Sequence, residues 1–272
     1  MKTSIVTITY DKDLEFLKYN LKSIKKFCKG YHDNVVIIDD HENDCIETQR
    51  YLDSIEQKYF INKEAKHVKR GYVRQQYMKL LSDLYVPTDT DYICHIDADS
   101  LFKKEHTPDR FFKNNKPLLV KNRYSKLLPR LQKIGHPIEG VKRWQDTTSE
   151  ILNFNVEFEF MFRMPLVYPK NLSKLVREYI EGINESTPLV DVLKDLPIMS
   201  EYNVMGAYAH EFTHEDFFWI DRWKEDGLEL IAETNYDDIF GHYSSRATQQ
   251  PDRYVDLSVK GNELDRIITD DQ

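Results

Sequence analysis

The stretch that decides the fold reads Tyr92-Ile93-Cys94-His95-Ile96-Asp97-Ala98-Asp99. Its first five residues are mostly apolar and favour a buried strand, which runs directly into two aspartates separated by one alanine. Ligands of open α/β sheets bind at the carboxyl ends of strands. Two carboxylates placed there can face one hard cation. The stretch therefore predicts a strand that ends in a Mg²⁺ or Mn²⁺ site made by Asp97 and Asp99.

Strands and helices alternate on the N-terminal side of this stretch. Residues 4–10 and 35–38 are β-branched runs that predict two more buried strands. Apolar residues at helical spacing predict helices over about 14–29, 45–59 and 71–84. This alternation indicates βαβ units around a mostly parallel sheet. We therefore expect an α/β fold, with a Rossmann-like nucleotide-binding half in residues 1–102.

The second half is less regular. The predicted elements are a short helix that begins at Thr107-Pro108, a strand over 117–120, an aromatic strand over 158–168 interrupted by Pro165, and helices over 172–183 and 200–212. Residues 122–150 contain two prolines and two glycines and are expected to be rich in loops. We expect a single domain over residues 1–272, in which residues 103–245 form a smaller lobe and 246–272 a polar tail.

Composition excludes several classes of protein. The 272 residues carry 38 Lys+Arg and 46 Asp+Glu, a net charge of −8, which argues against nucleic acid as the partner. No apolar run is long enough for a transmembrane segment. Three scattered cysteines predict neither a disulfide framework nor a zinc site. The first residues enter a strand-like run without a signal-peptide pattern, so we expect a cytoplasmic protein.

Two further Asp-x-Asp sequences limit the value of the pattern alone. We interpret Asp11-Lys12-Asp13 as capping for the first helix, and Asp89-Thr90-Asp91 as the turn before the strand that ends at Asp97. The structural alternative for Asp97 and Asp99 is a pair of turn-forming carboxylates at a strand end. Only this pair has a buried strand directly before it, and this position favours the metal site.

These features together resemble a GT-A glycosyltransferase, an enzyme that uses a nucleotide-sugar donor. The resemblance rests on the strand into Asp97-Ala98-Asp99, on the strand that ends at Asp39-Asp40, and on the sequences Gly71-Tyr72-Val73-Arg74-Gln75-Gln76-Tyr77-Met78-Lys79-Leu80 and Ser200-Glu201-Tyr202-Asn203-Val204-Met205-Gly206-Ala207-Tyr208. The two longer sequences look like a poorly characterised branch found in bacteria and large DNA viruses. The resemblance covers residues 3–243 and names no sugar.

The resemblance implies a divalent-metal site and a nucleotide site. Asp99 would be the direct Mn²⁺ or Mg²⁺ ligand, Asp97 would contact ribose or a metal-bound water, and His242 would be the third ligand, with His214 as the alternative. Nucleotide contacts are expected from the following residues: Thr7, Tyr10, Asp11, Asp39 or Asp40, Arg74, Gln75, Lys79 and Asp97. Arg74 is expected to pair with the diphosphate or with an aspartate. Each of these polar residues has an ordinary alternative as a solvated loop or helix face.

The resemblance also implies a base for an inverting transfer. Glu201 is our candidate, because Ser200 is a suitable helix N-cap and the helix N-terminus favours an ionised carboxylate. Glu215 and Asp216 are alternatives, and a retaining enzyme would need no such base. The expected donor is a UDP-sugar, and the expected acceptor is a hydroxyl of a glycan or another molecule. A glutamate that only stabilises the helix dipole is the structural alternative for Glu201.

The acceptor side is marked by basic and aromatic residues. The basic residues are Lys121, Arg123, Lys126, Arg130, Lys133, Lys142 and Arg143. They could face a diphosphate or an anionic acceptor, although a solvated surface is the simpler interpretation. Of the aromatic residues Trp144, Phe158, Phe160, Phe162, Trp219 and Trp223, we expect most to pack in the core and few to line a pocket.

Two other functions remain open from the sequence. A phosphohydrolase of the haloacid dehalogenase type has a similar Asp-x-Asp motif, but Leu101 stands where its hydroxyl residue is expected, and its motif follows the first strand. A non-catalytic nucleotide- or glycan-binding module would bind donor without turnover and would be insensitive to Glu201→Gln. Hydrolysis of a simple phosphomonoester would favour the first of these alternatives.

Overall fold

The structure, a computed structural model, describes residues 1–40, 45–161, 165–234 and 240–242. In chain order, the first half consists of β1 (Thr3–Thr9), α1 (Leu14–Phe27), β2 (Asp33–Asp39), α2 (Ile46–Ser54), β3 (Tyr59–Asn62), α3 (Gly71–Leu80), β4 (Tyr92–Asp97) and β5 (Ser100–Phe102). The rest consists of β6 (Phe112–Lys113), β7 (Lys116–Arg123), α4 (Tyr124–Lys133), α5 (Glu139–Leu152), β8 (Phe158–Glu159), β9 (Leu166–Pro169), α6 (Lys170–Ile183), α7 (Leu189–Leu193), α8 (Glu201–Phe212), β10 (Phe218–Asp221), α9 (Gly227–Thr234) and β11 (Phe240–His242).

The main sheet has five strands in the order β3-β2-β1-β4-β9. Its first four strands are parallel, and β9 runs antiparallel to β4. This confirms the expected α/β fold with a mostly parallel sheet, compatible with a Rossmann-like arrangement. The chain continues from β1 to β2 on one side and later returns to β4 on the other side. The carboxyl ends of β1 and β4 therefore border a topological switch point, where such sheets bind ligands.

Helices cover both faces of the main sheet, because side chains alternate along its buried strands. On one face, Val6 and Ile8 of β1 share a core with residues of α3, α6 and α8. On the other face, Ile5 of β1 and Ile96 of β4 share a core with residues of α1 and α2. Asp97 lies beside Ile8 in the register of β4 and β1, at the end of the strand pair where the apolar core stops.

Smaller sheets contain most of the strands of the second half. Strand β7 lies between β10, which is parallel to it, and β6, which is antiparallel, and it also pairs with β8. Strand β11 pairs antiparallel with β5, so the backbone of His242 lies opposite Ser100. The chain thus returns, late in its sequence, to the segment that directly follows Asp97 and Asp99.

The prediction of a loop-rich region over 122–150 is wrong, since α4 and α5 occupy most of it. Pro129 lies inside α4, where it removes one backbone donor. The helix persists because Tyr124 and Leu127 are buried, and Leu128 and Leu131 pack against the same core. Gly135 has a left-handed backbone with φ of 72° and lies between the two helices. The apolar residues of α4 recur at helical spacing, and their packing therefore outweighs the helix-breaking effect of Pro129.

Three smaller predictions need correction. The helix expected over 45–59 ends at Ser54, because Glu56 adopts a left-handed backbone and β3 follows. The aromatic strand over 158–168 is divided into β8 and β9. Asp13 occupies the N-cap position of α1, but its side chain makes no capping hydrogen bond there. The tail expected over 246–272 lies outside the described residues.

Within the described part of the chain, none of the helices combines the length and the apolar character needed to span a bilayer.

Candidate active site

A buried asparagine positions the turn that carries Asp97 and Asp99. The side-chain amide of Asn20, on α1, donates to the backbone carbonyl of Ser100 at 2.7 Å and to that of Asp97 at 3.3 Å. One turn further along α1, the hydroxyl of Ser23 accepts a hydrogen bond from the backbone N–H of Phe102 at 3.1 Å. The Asp-x-Asp turn is therefore fixed to α1 by hydrogen bonds to its backbone. The carboxylates of Asp97 and Asp99 are not needed to keep the turn in place.

The centre of the site is the ammonium of Lys79. Its Nζ lies 2.7 Å from Oδ1 of Asp97 and 2.7 Å from Oε1 of Glu201. It also lies 3.3 Å from the hydroxyl of Tyr202 and 4.5 Å from the centre of the Tyr202 ring. The side chains of Lys79 and Glu201 are 2% and 0% exposed, whereas that of Asp97 is 19% exposed. One buried cation thus joins two carboxylates, and only Asp97 reaches the solvent.

Helix α8 presents Glu201 because of the way the helix begins. The hydroxyl of Ser200 accepts a hydrogen bond from the backbone N–H of Asn203 at 3.2 Å, which confirms the predicted N-cap. The Asn203 side chain in turn accepts a bond from the backbone N–H of Phe160 at 2.8 Å. Oε1 of Gln76, on α3, accepts from the N–H of Glu201 at 3.5 Å. Contacts from two elements therefore hold Glu201 in the first turn of α8.

Burial and the neighbouring charges shift the pKa values of Lys79 and Glu201 in opposite directions. Burial alone would lower the pKa of Lys79, but Asp97 and Glu201 hold it well above its ordinary value. Burial raises the pKa of Glu201, and the neighbouring ammonium of Lys79 opposes that rise. Burial and the same ammonium lower the pKa of His95 to about 3, so this histidine is neutral near pH 7. The ammonium of Lys79 therefore stabilises the buried carboxylate of Glu201.

Asp13 belongs to the same site, which corrects our interpretation of Asp11-Lys12-Asp13 as helix capping. Burial raises the pKa of Asp13 to about 7, and the negative charges of Asp99 and Asp97 contribute to the rise. These carboxylates therefore repel one another at the carboxyl ends of β1 and β4, a place that we call the crevice and define by Asp13, Lys79, Asp97, Asp99 and Glu201. Carboxylates kept this close favour the binding of a cation that would relieve the repulsion.

We expect Asp13→Asn to stabilise the protein at alkaline pH. The raised pKa means that the free energy of unfolding decreases as the pH rises from about 4 to about 7, while the folded state retains the proton of Asp13. The uncharged asparagine removes this loss, so its melting temperature should exceed that of the wild type by about 3–6 °C at pH 8. The difference should shrink steadily between pH 7 and pH 4. Thermal unfolding in metal-free buffer measures it.

The control is Asp11→Asn, which removes a carboxylate from the same turn. We expect it to follow the wild-type dependence of melting temperature on pH. A gain at pH 8 that is equal in the two variants would show that net charge alone, and not the crevice, causes the effect.

A second ion pair lies at the carboxyl end of β2. Nε of Arg74 donates to Oδ2 of Asp39 at 2.6 Å, and its guanidinium also bonds to the carbonyl of Val68 at 3.1 Å. Both charged side chains are buried. Of the two partners predicted for Arg74, the structure shows an aspartate. Next to it, Oδ1 of Asp40 accepts from the backbone N–H of Cys45 at 3.2 Å.

The remaining residues predicted to contact nucleotide are distributed around β1 and α3. Thr7 is fully buried within β1, on the face that packs against α1 and α2. Tyr10 and Asp11 follow β1 at its carboxyl end, and Tyr10 is exposed. Gln75 is half-buried on α3. Of the residues predicted to contact nucleotide, the structure therefore joins Lys79 and Asp97, while the position of Thr7 gives it no surface to offer a ligand.

The donor chemistry of the crevice fits Mg²⁺ or Mn²⁺, because the oxygens of Asp97, Asp99 and Asp13 are ligands that these ions prefer. Among the side chains that the structure describes, however, no three or more His, Cys, Asp or Glu residues are arranged as a metal site. The backbone of His242 lies opposite Ser100, close in register to Asp99, but its side chain is outside the described part. The three carboxylates could therefore be ligands of a divalent cation, but the described residues do not form a complete set of ligands.

The alternative residues for ligand and base lie at the other end of α8. His214, Glu215 and Asp216 follow the helix in a 3₁₀ turn and are exposed. Helix α8 has 12 residues, which separates this turn from Glu201 by about 18 Å. The ring of His214 stacks on Trp219, with ring centres 5.3 Å apart. The structure therefore groups only Glu201, among these candidates, with Asp97.

Sequence reasoning missed four residues of the site: Asn20, Gln76, Asp13 and Tyr202. A signal existed for Asn20, since it lies between Leu17 and Leu21 on the apolar side of α1. A signal also existed for Asp13, in its Asp-x-Asp spacing after the first strand. Nothing in the sequence pairs Lys79 with Tyr202, because 123 residues separate them.

Comparison with known proteins gives a family and no activity. No curated protein matches the chain. The profile of DUF6492, described as a family of unknown function, matches residues 3–254, which include all residues of the crevice. The chain therefore belongs to the DUF6492 family.

Proposed function

We propose that this protein transfers a sugar from a nucleoside-diphosphate donor, with a UDP-sugar as the favoured donor, to a hydroxyl of a glycan or another acceptor. The observation that carries the proposal is the convergence of Asp97, Lys79 and Glu201 at the carboxyl end of β4. They meet beside the switch point of the main sheet, where α/β folds bind nucleotides. The resemblance to GT-A glycosyltransferases agrees with this placement.

The negative charge of the crevice supports a metal-dependent form of this activity. The charges of Asp99 and Asp97 act on Asp13, the charge of Asp97 acts on Glu201, and Lys79 is the cation paired with Asp97 and Glu201. A diphosphate would add further negative charge. Asp97 and Asp99, with His242 as the predicted third ligand, would hold the divalent cation. When bound, such a cation offsets the charge that develops on the leaving diphosphate.

The side chains of the crevice would perform the other steps of the reaction. In an inverting transfer, the acceptor oxygen forms a bond to the anomeric carbon while the bond from that carbon to the diphosphate breaks. Glu201 would take the proton of the acceptor hydroxyl, and its raised pKa brings it closer to neutral pH, where a base is most effective. Lys79 would keep this carboxylate ionised until the proton arrives. Asp39 and Arg74, at the end of β2, would border the nucleoside.

The test is a thermal-shift series with UDP, GDP, CDP and ADP, each with and without Mn²⁺. A ligand at a hundred times its dissociation constant should add about 2.7 kcal/mol to the free energy of unfolding. We expect a shift for one nucleoside diphosphate that appears only with Mn²⁺ and that Asp99→Ala abolishes. Asp89→Ala, in the Asp-x-Asp sequence at the opposite end of β4, is the matched control and should retain the shift. His242→Ala should weaken the dependence on Mn²⁺.

Absence of a shift for all four nucleotides would contradict the proposal. Retention of the Mn²⁺-dependent shift by Asp99→Ala would contradict the metal assignment while leaving the nucleotide site in place. A nucleotide sugar that matches the responding nucleotide is then the substrate for measuring turnover.

A further inference from the structure

A cluster of basic and aromatic side chains lies at the C-terminal end of α8, away from Lys79. We call it the basic aromatic face and define it by Lys121, Arg123, Phe158, His210 and Trp219. Lys121 and Arg123 are two residues apart on β7 and therefore point to the same side of the strand. Phe158 lies opposite Arg123 in the register of β7 and β8. His210 reaches the same side from α8.

The aromatic rings hold the two cations in place. Nζ of Lys121 lies 2.9 Å from Nε2 of His210, and it lies 4.9 Å and 5.7 Å from the ring centres of Phe158 and Trp219. The guanidinium of Arg123 lies 4.5 Å from the ring centre of Phe158. Contacts of this kind attract a cation without neutralising its charge. Both cations are half-buried and oriented before any ligand arrives.

The neighbouring charges leave the face positive. Burial, together with the charge of Lys121, lowers the pKa of His210 to about 4, so its imidazole is neutral near pH 7 and accepts a hydrogen bond from the ammonium. Asp221 and Lys224 act on Lys121 in opposite directions. Glu157 pairs with Arg123 at 2.9 Å, but both side chains are about half exposed, and such pairs contribute little. An anionic ligand can therefore replace Glu157 at the guanidinium.

We propose that the basic aromatic face binds a saccharide that carries a phosphate or carboxylate group, with the anionic group at Lys121 and Arg123. The sugar ring would lie against the exposed imidazole of His214, which stacks on Trp219 at an angle of 24°. A flat ring surface beside fixed cations is what distinguishes this surface from a simple patch of lysines. In a protein with a net charge of −8, a single anionic group is a better match than a polyanion.

The basic aromatic face is separate from the candidate active site. Glu201 and His210 are nine positions apart on α8, which places them about 13 Å apart along the helix axis and on opposite sides of the helix. The binding proposed for this face therefore does not rest on the proposed function.

The test follows the three tryptophan indole N–H signals of the protein by NMR. The probes are glucose 6-phosphate, glucuronate, glucose and inorganic phosphate, without nucleotide or metal. The signals are assigned with the variants Trp219→Phe and Trp223→Phe.

We expect glucose 6-phosphate or glucuronate to shift the Trp219 signal and to leave the Trp144 signal in place. Their affinity should be at least tenfold higher than that of glucose or phosphate. Lys121→Gln and Arg123→Gln should each weaken binding about tenfold or more. Lys113→Gln, which removes a lysine 5.3 Å from the ring of Phe218, is the matched control and should bind normally.

Equal affinity for phosphate and for the two charged sugars would overturn the saccharide assignment. No shift of the Trp219 signal, or normal binding by both Lys121→Gln and Arg123→Gln, would overturn the site altogether. Because the titration contains no donor, these results do not depend on whether the protein transfers sugars. A protein that binds nucleotide with Mn²⁺ but none of these probes would retain the proposed function and lose this inference.

Discussion

Lys79→Met should lower the free energy of unfolding by about 3–5 kcal/mol at pH 8, because removal of one partner leaves a buried charge uncompensated. Methionine fills a similar volume and retains contact with the Tyr202 ring, so loss of packing contributes little. Glu201, with no exposed surface, loses the cation 2.7 Å from its carboxylate. Asp97 suffers less, since it is 19% exposed. Urea denaturation at pH 8 measures the loss.

The pH dependence shows which group carries the loss. Burial already raises the pKa of Glu201, and without Lys79 the main opposition to that rise is lost. A carboxyl whose pKa is higher in the folded state stabilises the fold only while it holds its proton, so the deficit of Lys79→Met should shrink as the pH falls toward 5. Addition of Glu201→Gln should recover much of the deficit at pH 8, because the double variant buries no unpaired charge at position 201.

Lys69→Met is the matched control. Lys69 forms an ion pair of 2.6 Å with Asp195, but these side chains are 73% and 60% exposed. An ion pair this exposed is screened by solvent and contributes little to stability, so this variant should unfold almost as the wild type does. Equal losses in Lys69→Met and Lys79→Met, or additive effects of Lys79→Met and Glu201→Gln, would mean that Lys79 does not stabilise a buried carboxylate.

Local sequence determined the elements that prediction placed well. Strands β1, β2 and β4 have buried centres made mostly of β-branched or apolar residues, and α1 and α6 have a regular apolar side. Such patterns come from residues near one another in the chain. The predictions failed at α4 and at β3, where packing outweighed the local preference of Pro129 and where a single left-handed residue, Glu56, ended a helix early.

The site was predicted in part for a related reason. Asp97 is recognisable because a strand directly precedes it, and Glu201 because a capping serine does. The contact of Lys79 with both of them depends on how α3 and α8 pack over the main sheet, and no spacing in the sequence encodes it. Asp13 was misassigned because a carboxylate before a helix has a common local explanation. Asp97 and Asp99 are far from Asp13 in the sequence, and only the fold shows that their charges act on it.

Glu201→Gln should reduce turnover by about a hundredfold or more while leaving donor affinity nearly unchanged, because the amide retains the shape of the carboxylate but cannot accept the acceptor's proton. Turnover is measured as release of the nucleoside diphosphate, with the nucleotide sugar and Mn²⁺ concentration identified by thermal shift. The wild-type rate should rise with pH through the raised pKa of Glu201, and the variant should lose that rise. Glu215→Gln, at the other end of α8, should retain normal turnover.

Because Glu201 is buried, Glu201→Gln distinguishes a catalytic base from a carboxylate that serves only as the partner of Lys79. Its carboxylate has no exposed surface in this structure, so an acceptor hydroxyl reaches it only after a covering side chain moves. If Glu201 serves only as the partner of Lys79, Glu201→Gln will alter the melting temperature, yet turnover and its pH profile will remain those of the wild type.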